Sequence, residues 1–154
     1  MFTIVDTEQR TPAWFAARLG RLTGSKAGAM LSKIKSGESA GRRNLRLQLV
    51  LERLTGKSQE DSYQSPAMAV GIDREAQAFA AYEALTGDMA IRTGFLSHAT
   101  HLAGCSLDGH LGDFQKLMSI KCRQPSAHLD FLKSGAVPAD SLAQIRHELW
   151  IAGA

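Results

Sequence analysis

Glu75, Asp108 and Lys121 are the residues of this chain whose types could do chemistry together, with Ser119 two positions before the lysine. Two carboxylates and an amine converging on one place are what metal-assisted cleavage of a phosphodiester requires. The diester is anionic and repels hydroxide. A hard divalent ion held by carboxylate oxygens neutralises it and acidifies a bound water. A lysine beside the ion orients that water or balances developing charge. A backbone carbonyl, such as that of Ile120, can complete the octahedron. Ser119 stands where a second strand carboxylate would be expected.

Each of these residues also has a plainer reading. Glu75 lies on the stripe Met68, Ile72, Glu75, Phe79 and Tyr82 of a helix predicted from Pro66 to about Leu85, with Gly87 behind it. A carboxylate on an apolar stripe costs on the order of several kcal/mol to desolvate unless something compensates it. A pairing with Arg74 or another base would do so. Asp108-Gly109 is a common turn dipeptide. Ser119 and Lys121 project from one face of a strand predicted over 116–122, while Met118, Ile120 and Cys122 take the other, and half-exposed strands often alternate in this way. The order helix glutamate, strand-end aspartate, hairpin lysine is a stronger signal than any member of it.

A second element is Thr23-Gly24-Ser25, which opens a short helix through Leu31. A helix start with small hydroxyl residues presents N–H groups and a positive dipole end, so with Arg18 nearby it could hold a terminal phosphate. Simple capping is the other reading. The spacing around Gly20 and Gly24 fails the pattern of a phosphate-binding P-loop. Lys33, Lys35, Arg42, Arg43, Arg46, Arg53 and Lys57 concentrate basic charge in the first third of a chain whose net charge is only +3. Such a run reads either as a phosphate-tracking surface or as solvated helix faces. His98, His101, His110, His128 and His147 lack zinc spacing.

The elements that must position these residues follow from punctuation and periodicity. Thr11-Pro12 starts a helix that Gly20 ends. Leu47, Val50, Leu51 and Leu54 have helical spacing, with Gly56 as the stop, and a polar loop follows over 57–65. Residues 90–97, 102–107 and 116–122 read as strands, with Gly109 to Gln115 as the turn between the last two. Pro125 opens a helix ending near Gly135. Asp140 or Ser141 caps a final helix with Leu142, Ile145 and Leu149 on one face. The order implies an α/β core with a small mixed sheet flanked by helices.

The 154 residues suit one domain with a sizeable core, and 44% hydrophobic with 21% charged residues is an ordinary globular balance. No apolar run is long enough to span a membrane, and the N-terminus lacks the pattern of a signal peptide. Cys105 and Cys122 are too few for a disulfide scaffold, so a reducing cytoplasm is the expected setting.

Four stretches in order carry a family resemblance. They are Trp14-Phe15-Ala16-Ala17-Arg18-Leu19-Gly20 with Thr23-Gly24-Ser25, then Gly71-Ile72-Asp73-Arg74-Glu75, then Cys105-Ser106-Leu107-Asp108-Gly109, and Ile120-Lys121-Cys122. Ala143-Gln144-Ile145-Arg146-His147 and Leu149-Trp150 extend them. The chain resembles the lambda-exonuclease and YqaJ-type viral recombinase family of PD-(D/E)XK nucleases, over nearly its whole length. The resemblance implies a restriction-endonuclease-like fold and a 5′-to-3′ exonuclease on double-stranded DNA ends, using magnesium or manganese. It implies Asp108 and Glu75 at the metal, with the Ile120 carbonyl, and Lys121 positioning the attacking water. Gln144 matches the family's glutamine near that site. Arg18, Ser25 and Ser106 would bind the terminal 5′-phosphate, and Arg42, Arg43 and Arg46 the DNA backbone. A ring-shaped homotrimer and a single-strand-annealing recombinase partner are further implications. The family continues beyond the tryptophan near the last helix, so residues 1–154 are expected to form a single exonuclease-like domain that can lack the family's C-terminal segment.

The family reads Glu-x-Lys where this chain has Ser119-Ile120-Lys121. A hydroxyl is neutral and shorter than a carboxylate. Losing such a ligand costs on the order of several kcal/mol at the transition state, or roughly three orders of magnitude in rate. Asp113, in the adjoining turn, is a candidate substitute. Two rivals to the exonuclease remain open from sequence: a degenerate DNA-binding or assembly subunit of prophage origin, and an endonuclease of the same superfamily.

Overall fold

The computed structural model describes residues 1–59 and 66–154, with backbone alone for 66–68. Residues 60–65 of the expected polar loop, and the side chain of Met68 on the expected stripe, therefore lie outside the described residues. In chain order the elements are β1 (Phe2–Val5), α1 (Pro12–Arg18), β2 (Leu22–Thr23), a 3-10 turn (Gly24–Lys26), α2 (Ala27–Leu31), α3 (Ala40–Thr55), α4 (Pro66–Thr86), β3 (Phe95–His98), β4 (Ala103–Ser106), β5 (Gly109–Leu111), β6 (Lys116–Met118), α5 (Pro125–Ser134) and α6 (Ala139–Ala152).

One sheet has the order β1-β3-β4-β2, and β5 and β6 form a separate hairpin. β1 and β4 flank β3 antiparallel, whereas β2 runs parallel to β4 with Leu22 opposite Ala103 and Thr23 opposite Gly104. α6 packs on β4, and Leu96, Ala103, Cys105, Leu107 and Ile151 make the core between them. Gly104 is required there, since a Cβ would stand 2.3 Å from the Phe95 ring. This mixed sheet with helices against it is the expected α/β class.

Thr11 caps α1 through its side chain, with Pro12 in the first turn, and Gly56 and Gly135 close α3 and α5 in left-handed conformation. Four expectations need correction. β1 and β2 are strands that the sequence reading placed nowhere. The strand expected over 90–97 begins only at Phe95, and Ile91 makes an isolated bridge to His110. Part of the expected Gly109–Gln115 turn is β5. The strand expected over 116–122 stops at Met118, because the Asp108 carboxylate, not a neighbouring strand, takes the Ile120 N–H at 2.5 Å.

The helix faces also differ from those expected. α3 buries Leu45, Leu49 and Glu52, while Leu47, Val50, Leu51 and Leu54 are exposed. α6 follows Pro138 rather than an Asp140 or Ser141 cap, and it buries Ser141, His147, Glu148 and Ile151 while Leu149 is exposed. The physical reason is that buried polar side chains with partners displaced apolar ones. Glu52 accepts from the Gly20 N–H and Gln48 Nε2, both at 2.9 Å, and from the Gln59 N–H at 3.1 Å. Arg53 Nε donates to the Gly20 carbonyl at 2.6 Å, so the end of α3 clamps the link from α1 to β2.

Candidate functional site

Asp108 lies two residues beyond β4 and Glu75 lies on the inner face of α4. The two line one cleft of about 400 Å³, together with Arg10, Arg92, Leu107 and the segment Asp6–Gln9. Glu75 is not paired with Arg74. Its Oε2 accepts from Arg10 Nη2 at 3.0 Å and its Oε1 from Arg92 Nη1 at 3.3 Å. Arg92 in turn lies 4.4 Å over the Phe79 ring. Arg10 adopts a left-handed backbone, φ 70°. For a residue with a side chain that conformation costs about 1–3 kcal/mol, which surrounding contacts must hold in place. Gln9 supplies one such contact, donating to the Leu107 carbonyl at 3.1 Å.

Burial pushes the Asp108 carboxyl above its ordinary value. The Ile120 N–H and the charge of Lys121 oppose that rise, Glu75 adds to it, and Arg10 opposes it. Asp108 is thus a desolvated carboxylate between a second negative charge and two positive ones.

Lys121 and Ser119 face a different cavity, of about 220 Å³, lined also by Arg123, His128, Phe131 and Ile145 from α5 and α6 and their approaches. Ser119 is exposed and does not line the cleft that holds Glu75. Asp113 is exposed in the turn at the other end of the hairpin from Asp108. The further carboxylate whose charge bears on Asp108 is Glu148, which the sequence reading missed. It is buried on α6, and its Oε1 accepts from Gln144 Nε2 at 2.7 Å. Burial raises its carboxyl to about 6, with the Gln144 hydrogen bond and Lys121 opposing and the Asp108 charge reinforcing the rise. Gly24 lets this pair approach: a Cβ there would lie 3.2 Å from Glu148 Oε1 and 3.3 Å from Gln144 Cγ.

Of the expected phosphate-binding residues, Arg18 and Ser106 meet through Trp14. Its indole N–H donates to Ser106 Oγ at 2.8 Å, and the Arg18 guanidinium lies 4.0 Å over its ring. Ser25 is exposed on the 3-10 turn. The parallel register sets Thr23 beside Gly104, so Ser25 and Ser106 lie at the same, C-terminal end of β2 and β4. That end of an α/β sheet is where ligands generally bind. Arg42 and Arg46 are exposed near the start of α3 and both approach Glu38, at 3.8 and 2.9 Å, and Arg43 is exposed beside them.

Among the described residues, no three His, Cys, Asp or Glu side chains form a ready metal cage. Magnesium does not need one, since it keeps several waters and binds through one or two carboxylates and substrate phosphates. Asp108, with Ile120 drawn against it, fits that sparse donor set. Arg10, Arg92 and Glu148 were not foreseen. Arg10 and Arg92 carry no pattern of their own, while the i to i+4 spacing of Gln144 and Glu148 was a visible signal. Both cysteines are free, and no described helix is long and apolar enough to cross a membrane.

The family model for the YqaJ-like viral recombinase domain matches residues 13–154. Among solved structures, the alkaline exonuclease LHK-Exo of Laribacter hongkongensis is 32% identical, with a TM-score of 0.80, over 93% of this chain and 69% of that one. The same exonuclease in complex with dAMP aligns at TM-score 0.82, with the same identity and coverage. The comparison with curated proteins finds no match.

Proposed function

The chain belongs to the YqaJ-like viral recombinase family, and from that premise we propose that it is an exonuclease of phage-type recombination. It degrades double-stranded DNA from 5′ ends with magnesium or manganese. The observation that carries the proposal is the setting of Asp108. It is a half-buried carboxylate two residues beyond β4, lining one cleft with Glu75 and within reach of the charge of Lys121.

In this reading Asp108, with Glu75 and the Ile120 carbonyl, would hold a divalent ion, which would neutralise phosphate charge and acidify a water. The protein does the rest. Arg10 and Arg92 hold Glu75 in place and are the two cations of a cleft otherwise lined by the carboxylates of Asp6, Glu8, Glu75 and Asp108. Lys121 orients the water and Gln144 fixes the α6 side of the site. Arg18, Ser25 and Ser106 receive the 5′-phosphate, with Trp14 holding Arg18 and Ser106 in one assembly. Arg42, Arg43 and Arg46 follow the duplex backbone. The same reading includes a homotrimer around the DNA and a single-strand-annealing partner in the cytoplasm. The exposed apolar face of α3 supports it as contact surface.

Incubation with linear and with circular duplex, in magnesium and in EDTA, tests the reaction. Loss of linear DNA alone, in magnesium alone, is the expected result. Cutting of circles would make the chain an endonuclease. Binding without degradation would favour the degenerate DNA-binding subunit, the reading that Ser119 supports by leaving its strand position without charge.

A further inference from the structure

The cavity beside α5 joins positive charge to apolar surface. We infer that it receives one unpaired nucleotide of a DNA strand, with the base against Phe131 and the phosphate beside Lys121 and Arg123. The inference rests on the nuclease reading above and names the part of the substrate that this second compartment takes.

Charge selects an anion. Lys121, Arg123 and His128 line the cavity and, among the described residues, no carboxylate does. Ser119 adds only a neutral hydroxyl. The cleft of Glu75 is lined by Asp6, Glu8, Glu75 and Asp108 against two arginines. The cavity beside α5 is therefore the one that suits an anion without the help of a metal ion. Arg123 is already oriented. Its Nη1 and Nη2 donate to Asp140 at 3.3 and 3.0 Å, and Nη2 also to Ser141 Oγ at 2.8 Å. A planar fork fixed in this way loses little further freedom on meeting a phosphate.

The rest of the lining selects a flat apolar body. Phe131, Pro138 and Ile145 form it. His128 and Phe131 stand three residues apart on α5 and share a face, which sets a basic ring beside an aromatic one. Phe131 is 38% exposed, so its ring is open to a base. A bare phosphate would need the cations and not this wall. At about 220 Å³ the cavity is smaller than the ~300–1,000 Å³ that encloses a whole small-molecule ligand. It therefore takes one part of a longer molecule, a single ring with its phosphate at the rim, and not a base pair. Its place relative to the reacting groups is set by a contact. Asp108 takes the Ile120 N–H, and the residues on either side of Ile120, Ser119 and Lys121, line the cavity.

A 5′-phosphorylated thymidine octamer, and a set in which each base in turn is replaced by an abasic residue, test this in EDTA, where no strand is cut. Fluorescence anisotropy gives their affinities for the full chain as wild type, Phe131→Ala and Arg123→Gln, each checked by its thermal melt. At one position the abasic residue should weaken binding to wild type by about ten-fold, the scale of one base stacked on an aromatic ring. The same abasic residue should cost nothing in Phe131→Ala. Arg123→Gln should weaken every strand and reduce the salt dependence, as loss of a phosphate contact does. If the abasic profile is as flat in wild type as in Phe131→Ala, no base is seated on the ring and the inference fails. Displacement of the octamer by thymidine 5′-monophosphate at the octamer's own concentration would overturn the assignment to a strand and make the cavity a site for free nucleotide. Should a variant not fold, the wild-type profile decides alone, since a single weak position supports the inference and a flat profile overturns it. Degradation of linear duplex by wild type in magnesium is measured separately. A flat profile with degradation intact ends the inference alone, whereas a single weak position without degradation ends the nuclease reading alone.

Discussion

Trp14 shows how one side chain serves fold and site together. Its ring is buried, its N–H reaches Ser106 on β4, and its face carries the Arg18 guanidinium. Arg18 is therefore held over a ring at the edge of the proposed phosphate site. Arg18→Ala should weaken binding to 5′-phosphorylated duplex ends by about 1.5–3 kcal/mol, the range of a hydrogen bond to a charged group. It should leave ends bearing a 5′-hydroxyl unchanged. Fluorescence anisotropy on the two kinds of end measures this, and equal losses on both would reduce Arg18 to packing or general charge. Glu75 and Asp108 were legible as candidates because each broke a local pattern, one on an apolar stripe and one at a strand end. Glu148 showed only its i to i+4 spacing to Gln144, because its relation to Asp108 and Lys121 is made by the fold. Arg10 and Arg92 were hidden for the same reason: only the fold places them on either side of Glu75.

At the scale of elements, prolines and glycines were the reliable signals. Pro12, Pro66 and Pro125 begin the helices expected of them, because a fixed φ suits a first turn that needs no N–H. The short strands were not legible, since β2 has two residues and owes its existence to its parallel partner. The faces of α3 and α6 were misread because Glu52 and Glu148 are inside. Glu52 makes a further test possible. Burial pushes its carboxyl up, but hydrogen bonds from Gln48, Gly20 and Gln59, with the charge of Lys26, outweigh this and hold it below its ordinary value. A carboxyl lowered by folding stabilises the protein above its unfolded value, and that contribution disappears as pH falls through the folded one. Glu52→Gln should therefore flatten the acid side of the stability profile. Glu52→Ala, which leaves the Gly20 and Gln59 N–H groups without this acceptor, should cost about 1–3 kcal/mol in urea unfolding near neutral pH. An unchanged acid limb in Glu52→Gln would show that the clamp carries no charge-dependent stability.

Over the whole molecule, the matched family span and the cleft that holds Glu75 and Asp108 do not coincide. The match begins at residue 13, yet β1 forms an edge of the sheet and Asp6–Arg10 wall the cleft. A chain begun at residue 13 keeps Asp108, Glu75 and Lys121 but loses β1, the packing of Phe2 against the core and the Arg10 ion pair. Its Tm should fall by about 5 °C or more, and its DNA degradation should fall further than the melt explains at a temperature where it is still folded. Full activity in the shortened chain would mean that Arg10 and the cleft wall play no part. The cleft also joins segments far apart in the order of synthesis. Arg10 leaves the ribosome early, Asp108 much later, and Gln144 and Glu148 only with the final helix. No nascent chain short of α6 contains Gln144 and Glu148, so the proposed site is assembled only once α6 docks on β4.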